Sequence, residues 1–310
     1  MFGAQTEYGK LKRVLMHRPG AELRWVCDDT YREYNYRRPV DVAKFQGEYD
    51  ALVESVSEAG AEVVLLTDVL KDEPDALTYI ARRPNMCYTR DLAVVTNGGV
   101  ILLSMALKGR KGDPQIIGLA MKKLGVPVLG TIDAPGLLEG GGIQFMDERT
   151  ALIALCDRAN EVAIKQFCDL TLGTHLDEVV MVMVPDGNIH IDGQLMFVAP
   201  KLALGYMAGL DLHPSVVFRA GKQPQYTFFS EYMQRRGVEI IETTTEERRA
   251  MSINFIATAP LEAVGWTWAT RLSDELRKRG GTVWSVDGEE LVNGNGGPHC
   301  LTCPIEREKG

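Results

Sequence analysis

Hydrophobic positions in this chain alternate between two kinds of stretch. In the first, an amphipathic helical pattern stops at a glycine and is followed at once by a short run rich in β-branched residues. Four segments share this form: VESVSEAGAEVVLLT (53–67), LAMKKLGVPVLGT (119–131), SEYMQRRGVEIIET (230–243) and LSDELRKRGGTVWSV (272–286). Glycine takes the left-handed cap of a helix without steric cost, and β-branched residues favour extension. A looser fifth copy runs from Asn160 through Leu172 to EVVMVMV (178–184). The second kind of stretch reads as a pair of apolar strands around a turn: 92–105, 142–155 and 193–206. Asn97-Gly98-Gly99 and Asp147-Glu148 are the turn candidates in the first two. The unit is therefore strand–strand–helix–strand, repeated about five times. No Ser/Gly/Pro-rich linker divides the copies, which predicts an α/β fold with one domain over 1–310, arranged about a pseudo-fivefold axis. A doubly wound sheet would require a nucleotide loop, and neither Gly-x-Gly-x-x-Gly nor the Walker lysine pattern follows a strand.

Charge narrows the functional classes. Lys and Arg number 34 against 42 Asp and Glu, a formal net charge of −8, which argues against a duplex nucleic-acid binder. The basic runs Lys108–Lys111 and Arg277–Arg279 are short and read as solvated helix ends or loops. No stretch has the apolar length of a membrane span, and the N-terminal residues lack the hydrophobic region of a signal peptide. Six cysteines at positions 27, 87, 156, 168, 300 and 303 are expected to be reduced thiols in a cytoplasmic protein.

Candidate chemistry gathers at the strand ends. The clusters are Asn85-Met-Cys-Tyr-Thr-Arg90-Asp91, Glu139-Gly-Gly-Gly142, His190-Ile-Asp192 and Gly296-Gly-Pro-His299-Cys300. Singly, each has a plain explanation as a turn or a surface loop. Four of them in four different repeat units are harder to dismiss. Cys300-Leu-Thr-Cys303 lacks the second pair that a structural zinc requires, and no metal is expected. Cys300 is left as a lone nucleophile behind a tight glycine run, and its thiolate needs a base or a nearby cation.

In order and content these clusters resemble the guanidino-modifying superfamily of arginine deiminases, dimethylarginine hydrolases, agmatine deiminases and amidinotransferases. Thr89-Arg90-Asp91, Glu139-Gly-Gly, His190-Ile-Asp192 and Cys300 carry the likeness, with His17-Arg-Pro-Gly near the start. The resemblance implies a five-bladed ββαβ propeller, the pentein fold. It also implies Cys300 as nucleophile, His190 as acid/base oriented by Glu139, and Asp91 and Asp192 on the guanidinium. In the arginine deiminase branch, residues placed like Asn85, Arg110 and Arg158 hold the amino-acid end of arginine, the arginines taking its carboxylate. Arg90 and Asn295 complete the expected substrate contacts. Two departures stand out: Gly142 replaces the aspartate of the family's EGGD, and Asn295 stands where deiminases often have arginine. His175-Leu-Asp177 repeats the His-x-Asp pattern, but His190 precedes the hairpin that follows this motif in the family.

The implied activity is hydrolysis of a guanidino compound, L-arginine or a close analogue, to a ureido product and ammonia without a cofactor. The alternatives are amidino transfer to an amine, a dimethylarginine hydrolase, and a propeller-shaped binding protein. The expected partner is a small guanidino substrate, not a nucleic acid or a membrane, with a homo-oligomer left open.

Overall fold

The structure, a computed structural model, describes residues 1–309. The first unit joins β1 (Leu11–Met16) to β2 (Glu62–Leu65) through the helix Val42–Glu58. These two strands are parallel, with Val14 opposite Val63. The second unit is β3 (Ala93–Thr96), β4 (Gly99–Leu102), the helix Asp113–Lys123 and β5 (Val128–Thr131). The third is β6 (Ile143–Asp147), β7 (Thr150–Leu155), the helix Glu161–Thr171 and β8 (Glu178–Met183). The fourth begins with β9 (Leu195–Ala199) and β10 (Leu202–Gly205). It then inserts β11 (Ser215–Phe218) and β12 (Gln225–Thr227), and ends with the helix Phe229–Arg236 and β13 (Glu239–Glu242). The fifth is β14 (Ile256–Ala259), β15 (Glu262–Trp266), the helix Thr270–Lys278 and β16 (Thr282–Val286). β17 (Cys303–Arg307) returns antiparallel to β1, pairing Cys303 with Leu15.

In units two to five the first two strands form an antiparallel hairpin and the closing strand is parallel to the second. A parallel return needs a crossover of a dozen or more residues, which the amphipathic helix supplies. β17, β1 and β2 reproduce this order from the two ends of the chain. The result is an α/β protein of five mixed sheets, none closed on itself. The glycine stops behave as expected. Gly237 caps its helix at φ 66°, and Gly60, Gly125 and Gly280 follow theirs at φ 93°, 75° and 84°.

Packing follows the helical period. Phe45, Tyr49, Leu52 and Val56 are the buried stripe of the helix Val42–Glu58, and they join Leu11, Val14, Val264 and Trp266 in one apolar cluster. Each such side chain contributes about 1.5–3 kcal/mol by leaving water. Among the described residues no helix is long and apolar enough to cross a membrane.

Several features differ from the sequence reading. The pairs β14–β15 and β17–β1 were not among the expected hairpins. The inserted β11 and β12 extend the third sheet to five strands. The turn after β6 falls at Glu148-Arg149, one residue later than expected. Arg110, expected in a solvated loop, is 3% exposed.

Candidate active site

Five loops meet at one place, and each lies immediately before the opening strand of a unit. Asp91 precedes β3, Glu139 precedes β6, His190 and Asp192 precede β9, Asn254 precedes β14, and Cys300 precedes β17. Backbone bonds stitch these loops together. The Asp192 N–H donates to the Gly141 carbonyl at 3.1 Å and the Arg90 N–H to the Cys300 carbonyl at 3.2 Å. Asn254 Nδ2 donates to the Asp192 carbonyl at 3.2 Å, and its Oδ1 accepts from the His299 N–H at 3.0 Å. Such close approach requires glycine: a Cβ on Gly141 would stand 2.4 Å from His190 Nδ1, and one on Gly140 2.0 Å from the Arg90 carbonyl oxygen. Gly142 is under no such pressure, its nearest neighbour being 3.8 Å away, so packing does not account for glycine replacing an acid there.

The Cys300 thiol donates to Asp192 Oδ2 at 3.1 Å, with Asn254 Nδ2 3.4 Å from the sulfur. His190 Nε2 lies 3.1 Å from Glu139 Oε2, and its Nδ1 lies 3.7 Å from Asp91 Oδ1. All five expected catalytic side chains are buried. Asp91 Oδ1 is a buried acceptor without a hydrogen-bond donor. Such an atom is costly unless a ligand N–H fills it.

The electrostatics are those of a site waiting for positive charge. Burial pushes the Cys300 thiol well above its usual value, and the carboxylates of Asp192 and Asp91 push it the same way. Burial also opposes ionisation of Asp192, but His299 and His190 outweigh it and the carboxyl is held low. For Glu139 burial is again outweighed, by His190, Arg110 and Arg158, and the pKa falls to about 2. His190 is raised: burial disfavours the imidazolium, yet Asp91 and Glu139 together favour it more. An uncharged alkylating agent should therefore modify Cys300 slowly at neutral pH, with the rate climbing only in the alkaline range. In Asp192→Asn that rise should shift to lower pH. Iodoacetamide rates measured against pH check this; a wild-type rate already level at neutral pH contradicts it.

The expected substrate contacts divide. Asn85, Arg110, Arg158 and Asn295 line a cavity together with Cys300, Asp91 and His190. Arg110 is held there by both terminal nitrogens: Nη1 donates to Asp91 Oδ2 at 2.6 Å, Nη2 donates to the carbonyls of Asn85 and Tyr88, and Nε is without a hydrogen-bond partner. It braces Asp91 from inside the cavity that the sequence reading assigns to the substrate. Arg158 uses only Nη1, on Glu139 at 3.0 Å, and keeps its other donors available. Arg90 does not line the cavity. It lies behind it, donating to the His299 carbonyl at 3.4 Å and standing 3.8 Å from Glu7. Asn295 accepts from Arg37 Nε at 2.7 Å and donates to the Asn35 carbonyl at 2.7 Å. These bonds help shut the cavity to about 20 Å³, room for roughly one water.

Behind the nucleophile, sequence reasoning missed Glu7 and Asn254 and gave His299, which it placed in the last cluster, no role. His299 bridges Asp192 at 2.9 Å and Glu7 at 3.2 Å, and Asn254 contacts the sulfur. Glu7 is drawn to about 2, because Arg90 and His299 outweigh its burial. Asn254 stands before β14 as Asp91 stands before β3, a signal that required the fifth hairpin to be recognised. Asp91, Glu139 and His190 also bring three metal-type donor atoms within 4.8 Å of one another. Arg110 pairs with Asp91 through Oδ2 and Arg158 pairs with Glu139, which leaves Asp91 Oδ1 as the carboxylate oxygen of this group without a hydrogen-bond donor.

Solved structures share this architecture. A variant of dimethylarginine dimethylaminohydrolase (DDAH) from Pseudomonas aeruginosa, in complex with citrulline, superposes with TM-score 0.73 at 18% identity, covering 96% of this chain and 100% of that one. The N-terminal domain of ArgZ, described as an arginine dihydrolase from the cyanobacterial ornithine-ammonia cycle and bound to product, gives 0.74 at 15% identity over 96% and 98%. This chain thus shares the fold of these two proteins. In sequence, the arginine deiminase family profile matches residues 74–307, well over half the chain, and the chain belongs to that family. It is 25% identical over 260 residues to the arginine deiminase of Listeria welshimeri, covering 73% of this chain but only 62% of the relative. With the arginine deiminase of Listeria innocua the match is also 25%, over 403 positions and 97% of each chain.

Proposed function

We propose that this chain hydrolyses the C–N bond of a guanidino compound through a covalent intermediate on Cys300. The observation that carries this reading is the convergence of Cys300, Asp91 and His190 on one cavity. Asp192 is bonded to the sulfur and Glu139 to the imidazole. Asp91 and Asp192 accept the in-plane N–H groups of the guanidinium, and the unfilled Asp91 Oδ1 is one such acceptor. The bound cation offsets the two carboxylates and lowers the thiol pKa, so the nucleophile forms only with substrate in place. Cys300 Sγ then bonds to the guanidino carbon. His190 protonates the departing amine as the C–N bond breaks, leaving an amidino group on sulfur. His190 next takes a proton from water, whose oxygen adds to the same carbon; the C–S bond breaks to release the ureido product and the thiol. The scheme needs no metal or organic cofactor.

We also read the five sheets as blades of one propeller forming a single catalytic domain across 1–310. Shared strand order and the pairing of β17 with β1 support this. The substrate favoured is L-arginine or a close analogue, supported by the family and by the free donors of Arg158. A charge-assisted bond to its carboxylate is worth about 1.5–3 kcal/mol, roughly one to two powers of ten in kcat/KM. Arg158→Ala should cost about that factor on arginine and little on agmatine; equal losses on both would place Arg158 in the Glu139 brace instead. Ammonia, citrulline and ornithine release from L-arginine, with and without an acceptor amine, tests the whole reading. Turnover only with the amine would make the chain an amidinotransferase.

A further inference from the structure

Outside the closed inner cavity lies a larger one of about 350 Å³, and the two share Asn35, Ile189, His190 and Asn295. Three arginines line this vestibule: Arg37, Arg248 and Arg249. Among the described residues none of them forms an ion pair with a carboxylate. Arg37 bonds only the amide of Asn295, and Arg248 only the amide of Asn188 at 3.1 Å. Arg248 lies over the Tyr206 ring at 5.2 Å and has a buried Nε without a partner. Glu247, the acid beside them, is taken by Arg271 at 2.7 Å. The one carboxylate in the lining, Asp192, is committed to His299 and Cys300. Three unopposed cations at the mouth of a site in a chain of net charge −8 make a local field opposite to that of the whole molecule.

We propose that this vestibule is an anion subsite of the Cys300 site, selecting guanidino substrates whose far end bears a carboxylate without a neighbouring ammonium. The inference rests on the guanidino-hydrolase reading and sharpens its substrate class. The guanidinium goes to Asp91 and Asp192, and the opposite end of the substrate lies toward the arginines. An ammonium there meets three positive charges and no free acid; a carboxylate meets donors in planar fork geometry. Agmatine, doubly positive, is disfavoured most. L-Arginine carries both groups and lies between. δ-Guanidinovalerate, which is arginine with hydrogen in place of its ammonium, is favoured.

The test is kcat/KM for these three compounds at low and high salt, with the wild type, the double variant Arg248→Ala/Arg249→Ala, and Arg37→Ala on a separate loop. The expected wild-type order is δ-guanidinovalerate, then arginine, then agmatine. Both variants should lower kcat/KM on δ-guanidinovalerate about tenfold or more, through KM; the double variant should leave agmatine unchanged or improved, and Arg37→Ala, which also releases Asn295, should cost δ-guanidinovalerate more than agmatine. Added salt should narrow the wild-type order in the same way. Agmatine turned over as well as δ-guanidinovalerate, or an equal loss on all three compounds in the variants, overturns the subsite and leaves the hydrolase reading standing. Inertness of the wild type toward all three overturns both.

Discussion

Cys300→Ala is expected to abolish turnover, by roughly 10⁴-fold or more, while leaving the fold intact. The reasoning is geometric. Cys300 is the thiol on the cavity that holds Asp91 and His190, and no neighbouring group can replace sulfur as the attacking atom. Removing it takes away a small buried side chain and one contact each with Asp192 and Asn254, a modest loss for a chain of this size. Cys303, its partner in the Cys-x-x-Cys pattern, begins β17 and packs in a different apolar cluster beside Leu15, Val95 and Ile305. Cys303→Ala should therefore cost some stability and keep activity. A dead Cys303→Ala beside an active Cys300→Ala reverses the assignment.

His190→Ala should lower kcat by about 10²–10⁴-fold, the usual contribution of a positioned acid/base group. His175→Ala should be nearly silent. The imidazole of His190 is held between Glu139 and Asp91. That of His175 packs against Gly98, where a Cβ would come within 2.2 Å of its ring, and its backbone carbonyl accepts from Gln5 and Arg149. The pH dependence has a definite sign. A raised His190 pKa keeps the imidazolium, the form that protonates the leaving amine, to higher pH than an unperturbed histidine would. Activity should fall as pH rises through that value. In Glu139→Gln, which removes one of the groups favouring the imidazolium, the alkaline fall should begin at lower pH. Equal losses in the two histidine variants would leave the choice between them unsupported.

The repeat was legible because its punctuation is local. Gly60, Gly125, Gly237 and Gly280 each end a helix and each open a β-branched run, so the helices and closing strands could be read directly. The hairpins were legible where the apolar run was long, as in 92–105, but not at 256–266, where Ala and Pro260 thin the pattern. The chemical residues stood out where they cluster, as Thr89-Arg90-Asp91 and His190-Ile-Asp192 do. Residues whose partners are remote in sequence did not. Glu7 meets His299 across 292 positions, and nothing near Glu7 hints at a buried ion pair. Arg110 is the sharper lesson. The local sequence Lys-Gly-Arg-Lys-Gly looks solvated, yet the carboxylates of Asp91 and Asp113 and two backbone carbonyls surround the guanidinium. Burial of a charge is decided by what the rest of the fold brings to it.

The central claim is a covalent bond between the guanidino carbon and Cys300. Acid quenching during turnover of L-arginine or δ-guanidinovalerate, followed by peptide mass spectrometry, tests it most directly. The predicted result is a peptide carrying Cys300 heavier by the substrate less ammonia, absent from Cys300→Ser and accumulating when His190 is replaced by a residue that cannot activate water but still permits attack. An adduct on another cysteine, or steady turnover by Cys300→Ser without any adduct, would contradict the account.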